Sequence, residues 1–167
     1  MLAWRAFKVE SRGLCSLYRQ YVFARENVAT CIPDSIENFH PDGVPLATCT
    51  CGFWALNNVQ EVLSRFTSTP RDNPSEAIGL VSGFGRFVEH DDNVYRFERM
   101  SIIAIGAVPH WTASMFSTPA HRVEQEEERL HWLAEAGRTL GIPLHYDRSL
   151  EHVLGELAIE AGRYLAS

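Results

Sequence analysis

The chain is nearly devoid of lysine. Lys8 is the only one, so arginine supplies the rest of the 15 basic residues, set against 21 acids for a net charge of −6 over 167 residues. That balance argues against broad, phosphate-driven nucleic-acid binding, which needs a positive field. Arginine's planar fork suits individual carboxylate or phosphate partners instead. Long apolar runs are also missing: none approaches the ~18 residues that span a bilayer, so no membrane partner is expected. The opening stretch Met1 to Glu10 is broken by Arg5, Lys8 and Glu10 and does not form the apolar core of a signal peptide. With four cysteines and no export signal, the expected setting is the reducing cytoplasm, where thiols bind metal, act as nucleophiles or serve as small hydrophobes. There is no internal repeat, and a hydrophobic fraction of 46% with 22% charged residues is that of a globular chain. The length suits one domain, residues 1–167.

What is present is a β-rich first part and a helical end. Trp4 to Glu10 alternates as a strand does, and Leu14 to Ala24, with Tyr18, Tyr21, Val22 and Phe23, reads as another after the turn at Ser11-Arg12-Gly13. Residues 27–45 carry three prolines and read as loop. Asn58 and Glu61 have capping-box spacing ahead of a helix from Val59 to Phe66. A long β-hairpin is predicted from Ala77 to Gly106, turning at Asp91-Asp92-Asn93. A two-residue loop at Asp92-Asn93 would set Glu89 opposite Arg96 and Val88 opposite Phe97. Gly79, Gly83 and Gly85 would leave one face of its first arm bare, to be covered by Tyr95, Phe97 or another backbone. The apolar run Ile102 to Val108 predicts a strand covered on both faces. From Pro119 the apolar period becomes helical through Val123, Leu130, Leu133, Ala134 and Leu140, with Gly141 as the cap. A second helix starts at Ser149, with Leu150, Val153, Leu154, Leu157, Ala158, Ala161 and Leu165 as its stripe. The fold class is α+β: a single domain with an antiparallel sheet, a long central hairpin and two C-terminal helices.

Chemistry concentrates first at Cys49-Thr50-Cys51-Gly52. On extended backbone both sulfurs share a face. A disulfide between them would close a small strained ring. Zinc needs four ligands, and Cys31 and His40 would complete a set with Cys49 and Cys51 if the proline-rich loop folds back. Against that metal site stand buried filler thiols, or a reactive cysteine activated by His40. No flanking signature of a thiol protease is present. Glu89-His90-Asp91-Asp92 forms a second cluster, suited to acid–base or metal chemistry with help from His110, His121 or His145, or to a solvated turn. Gly83-Phe84-Gly85 lacks the strand–turn–helix context of a phosphate loop. Trp54, Trp111 and Trp132 read as core residues or as partner anchors. His131 and His152 belong at the surface.

Cys49-Thr50-Cys51-Gly52-Phe53-Trp54-Ala55, followed about thirty residues later by the run Gly83 to His90, resembles a group of small bacterial proteins common in actinobacteria. In that group Cys-x-Cys-Gly-Ile-Tyr-Ala precedes a Trp-Gly-x-Val-x-Glu-His strand and an aromatic-Arg strand. Trp4-Arg5, Tyr95-Arg96 and Gly141-Ile142-Pro143 fit the same layout, so the resemblance spans nearly the whole chain. Phe53-Trp54 replaces Ile-Tyr and Phe84 replaces Trp; both keep apolar or aromatic bulk. The resemblance implies continuity of fold and brings no activity with it. The function expected is a non-enzymatic binding module for a protein or small ligand, with zinc as a structural cofactor at Cys31, His40, Cys49 and Cys51. The competing expectation is a small metal- or thiol-dependent hydrolase. A homo-oligomer is compatible with either.

Overall fold

The computed structural model describes residues 1–16, 21–29, 44–45, 51–68, 77–90, 93–109 and 119–167, the side chains of 65–68 and 121–122 excepted. In chain order the elements are β1 (Leu2–Glu10), β2 (Gly13–Cys15), β3 (Glu26–Val28), β4 (Phe53–Leu56), α1 (Val59–Ser68), β5 (Ala77–His90), β6 (Val94–Ala107), α2 (Pro119–Leu140), β7 (Leu144–Tyr146) and α3 (Leu150–Ala166). The fold is α+β, as the composition of its segments requires. No helix among the described residues is long and apolar enough to cross a membrane.

Two-residue periodicity in β1 divides the core. Ala3, Phe7 and Val9 enter one apolar cluster with Leu133 and Ala136 of α2, while Leu2, Trp4 and Ala6 face a second cluster with Val62 of α1 and Val153 and Leu157 of α3. β6 serves both: Ile105 and Ala107 join the first cluster and Val94 and Ala104 the second. The run from Ile102 to Val108 is therefore covered on both faces, as its unbroken apolar character predicts. Each large side chain fully buried this way contributes about 1.5–3 kcal/mol.

The sheet also closes on itself. β5 pairs with β1 from Leu2–Ser82 to Phe7–Ala77, and β6 pairs with β5 along the hairpin. β4 lies along β6 from Phe53–Phe97 to Leu56–Val94, and the Trp4–Leu56 pair returns it to β1. Four strands thus complete a circuit, with β2 and β3 added at the margins. Such curvature needs bare backbone where rings turn inward. A Cβ at Gly79 would strike the Phe7 ring, and one at Gly83 the Phe97 ring, so Phe97 covers Gly83 as expected while Phe7 of β1 covers Gly79. Gly85, at φ +79°, sits where the ladder slips between Phe84 and Phe87, and Glu98 fills its space.

Three local expectations differ. The hairpin register is one residue from that predicted: Val88 faces Arg96, Glu89 faces Tyr95 and His90 faces Val94. Asn93 at φ +61° belongs to the connection, which takes three residues rather than two and moves every partner by one. The sheet is mixed, because β7 runs parallel to β6 through Ile105–Leu144 and Ala107–Tyr146. Of the strand expected from Leu14 to Ala24, the described residues form β2 and a single bridge between Cys15 and Val22.

The helices start and stop as their ends dictate. Asn58 accepts from the Gln60 amide at 2.9 Å to open α1, and Ser149 Oγ accepts from the His152 amide at 3.2 Å to open α3. Gly141, at φ +62°, ends α2 while the Ile142 amide reaches back to the Gly137 carbonyl at 3.0 Å. On α2, Ala134 and Val123 prove exposed; Ala136 and Gly137 turn inward instead. On α3, Val153 and Leu157 are buried, whereas Ala158 and Leu165 are exposed.

Candidate functional site

Of the four residues of the zinc set, Cys31, His40 and Cys49 lie outside the described residues. Cys51 is disulfide-bonded, with its partner also outside them, whereas free thiols were expected throughout. A sulfur in a disulfide is not a thiolate and does not ligate zinc. Among the described residues Cys15 is a filler thiol: buried, uncombined, and directed at the Gly13 carbonyl at 3.6 Å. No group of three His, Cys, Asp or Glu side chains among the described residues is placed to hold a metal ion.

Immediately after Cys51 the backbone turns at Gly52, φ +104°, where a Cβ would press on Pro45, Arg96 and the Phe97 carbonyl. That close approach is the physical reason for glycine after the second cysteine. The turn delivers β4 to the edge of β6 and sets Trp54 opposite Arg96. Arg96 is fully buried, although it alternates with Tyr95 and Phe97 on a strand. Its Nε donates to His90 Nε2 at 2.6 Å and its Nη1 to the Cys51 carbonyl at 3.0 Å. The guanidinium also lies over the Trp54 ring, 5.1 Å from the centroid, and burial lowers its pKa. His90 stacks on the same indole, with centroids 5.2 Å apart and planes 17° from parallel. Because Nε2 accepts this bond, the neutral imidazole carries its proton on Nδ1. Trp54 remains 40% exposed in spite of these contacts.

Glu89 and His90 do not converge. As consecutive strand residues they point to opposite faces. The Glu89 carboxylate accepts from the Tyr95 hydroxyl at 3.0 Å, a bond that raises the tyrosine pKa. From Tyr95 the polar chain continues: Asn57 Nδ2 approaches the Tyr95 hydroxyl at 3.5 Å and donates to Asn93 Oδ1 at 3.1 Å, and Asn93 donates to Glu61 at 3.2 Å. Glu61 is thus spent on the hairpin end instead of a capping box. Asp91, Asp92 and His110 lie outside the described residues, as does Trp111.

Beneath Trp54 lies a residue that motif spacing did not single out. Arg5 of β1 donates through Nη1 to the Trp54 carbonyl. Its guanidinium packs 4.9 Å from the Phe23 centroid and 5.9 Å from that of Phe7. Phe23 in turn packs edge-on to Phe7 and Tyr21 and is tilted against Phe53. Opposite Arg5 in β5 stands Gly79, which has no side chain to offer. The sequence signalled only an arginine within an alternating strand; that no acid faces it follows from the pairing with Gly79.

Elsewhere the charged groups serve the scaffold. Arg129 holds Glu126 with two bonds and the Val108 carbonyl with a third, and Tyr146 donates to Glu126 at 2.8 Å. His145 lies 3.6 Å from Glu160 and 3.7 Å from Glu156. A cavity of about 210 Å³ separates the β1–β2 turn from α2, between Arg12, Phe23, Trp132, Glu135 and Thr139. His131 and His152 are exposed, as expected, and Trp132 is half-buried. Compared with protein-family models, curated proteins and solved structures, the chain matches none.

Proposed function

We propose that this chain is a non-enzymatic binding module whose recognition element is the Trp54 face beside His90 and Arg96, and that it takes a small ligand with a planar or aromatic group. One observation carries the reading: an indole 40% exposed is nonetheless held by a stacked imidazole and a buried guanidinium. Exposed aromatic surface that is fixed in advance loses little side-chain entropy on binding, which is why such residues dominate recognition sites. A hydrolase based on Glu89 and His90 is disfavoured, because the Nε2 lone pair of His90 is engaged by Arg96 and the two side chains diverge. Zinc at Cys31, His40, Cys49 and Cys51 belongs to this reading only for the reduced chain. Cytoplasmic residence likewise goes with it only if the Cys51 disulfide is reversible.

The test is fluorine NMR of the 5-fluorotryptophan-labelled protein, with the Trp54 resonance assigned through Trp54→Phe. Indole, adenosine and free phenylalanine serve as probes. Saturable movement of the Trp54 signal by one of them, abolished in His90→Ala, is expected. Hydrolysis of p-nitrophenyl acetate or phosphate that disappears in His90→Ala or Cys51→Ser would overturn the reading. So would a Trp54 signal indifferent to every probe.

A further inference from the structure

We propose that Arg5 is the anchor of a separate binding site for an organic monocarboxylate, in which the guanidinium takes the carboxylate and the rings of Phe7, Tyr21 and Phe23 take its apolar body. The proposal rests on the reading of the chain as a binding module, but not on Trp54 as its recognition face.

Among the described residues, Arg5 Nε is buried without a hydrogen-bond partner, and the guanidinium finds one acceptor, the Trp54 carbonyl at Nη1. No carboxylate among the described residues pairs with it. A buried donor without an acceptor keeps its full desolvation cost, more so when the group is charged, so such groups are rare unless something completes them. The aromatic surroundings soften this cost through cation–π contact and do not remove it, since burial still pushes the Arg5 pKa down to about 10. Gly79, opposite in the ladder, supplies nothing.

The remaining features identify the ligand. Nε together with one Nη presents the two parallel donors that a carboxylate takes side-on. One cation compensates one negative charge. A dianionic phosphate would leave its second charge against ring faces that are themselves electron-rich. The neighbouring groups are apolar or neutral: Phe7 and Phe23 are buried rings, and the Tyr21 hydroxyl is occupied with Asn27 at 3.3 Å. Arg5 as a residue is only partly buried, and Tyr21 beside it is exposed. A purely structural arginine has no need of an unfilled Nε.

Nitrogen-15 NMR of the arginine Nε–Hε signals tests this directly, with the Arg5 signal assigned by Arg5→Lys. Phenylacetate and hexanoate are titrated in, with phenylethanol as the neutral analogue and chloride and inorganic phosphate at matched ionic strength. Saturable downfield movement of the Arg5 Hε with the two carboxylates alone is expected. Affinity should fall at least tenfold in Arg5→Met, which keeps the apolar stem. Phosphate acting as well as carboxylate, a response equal to that of chloride, or no response at all would overturn the assignment. If Arg5→Met does not fold, the wild-type titration against phenylethanol decides alone. Trp54→Ala separates the two readings, since it retains the Trp54 carbonyl: carboxylate binding that survives it stands whether or not the Trp54 face binds anything.

Discussion

Helix α2 carries two Glu–Arg pairs with the same i,i+3 spacing and the same 2.6 Å separation, Glu126–Arg129 and Glu135–Arg138. They differ in burial: the side chains are 14% and 4% exposed in the first pair, 42% and 69% in the second. Arg129→Met and Arg138→Met therefore compare one interaction in two surroundings. Arg129→Met removes both bonds to Glu126 and the 2.8 Å bond to the Val108 carbonyl, yet leaves the carboxylate in its half-dry position. Breaking a buried pair from one side costs about 3–5 kcal/mol, because the remaining charge keeps its desolvation penalty. The packed methionine stem offsets part of this, so about 3 kcal/mol is expected. Arg138→Met breaks a pair that water screens and should cost less than about 0.5 kcal/mol. Urea denaturation followed by circular dichroism reads the difference as a shift in midpoint at unchanged slope. Adding Glu126→Gln to Arg129→Met should recover stability, since the stranded charge goes with it. Equal costs for the two arginine variants, within about 0.5 kcal/mol, would refute burial as the controlling variable.

Gly83→Ala should lower stability by about 1–3 kcal/mol, because its Cβ meets the Phe97 ring, whereas Gly155→Ala, facing open space on α3, should raise it by about 0.5–1 kcal/mol; thermal melts of both variants check the signs. Burial, reinforced by the bond to Glu126, pushes the Tyr146 pKa up to about 12 from 10. The folded state therefore holds this proton more tightly than the unfolded one, so the contribution is complete below pH 10 and is lost as the pH rises towards 12. Tyr146→Phe should flatten the decline of stability over that window. Purified chain should bind zinc only after treatment with a dithiol reductant, and Cys51→Ser should abolish it. Zinc bound in the absence of reductant would show that the Cys51 sulfur is not held in its disulfide.

The hairpin arms and the helix caps were legible because they depend on neighbours in sequence: β-rich runs, the glycines, Asn58, Ser149 and Gly141. The register was not, because it turned on whether the connection took two residues or three, a choice of one residue in one turn. The site was legible in part. His90 stood out by type, while Arg96 was read as the cross-strand partner of Glu89. Its burial depends on Trp54 arriving from β4, about forty residues earlier in the chain, and no local pattern announces that. Arg5 was obscured for the same reason. The absence of an acid opposite it becomes visible only once β1 and β5 are known to pair at Gly79.

The strand circuit also sets an order of assembly. The β5–β6 hairpin can form from contacts local in sequence, but β1 has no partner in the circuit until β4 or β5 is available. The Met1 amine meets the Gly83 carbonyl across 82 positions, and the Tyr164 hydroxyl meets Ser82 across another 82. Bringing such distant segments together incurs the loop-closure cost before any burial offsets it, so closure of the circuit should be the slow, late event in refolding. Until then the apolar edge of β1 is exposed. A chain stalled before β5 is synthesised would carry that edge unpaired, and is the species in which this protein is most open to aggregation.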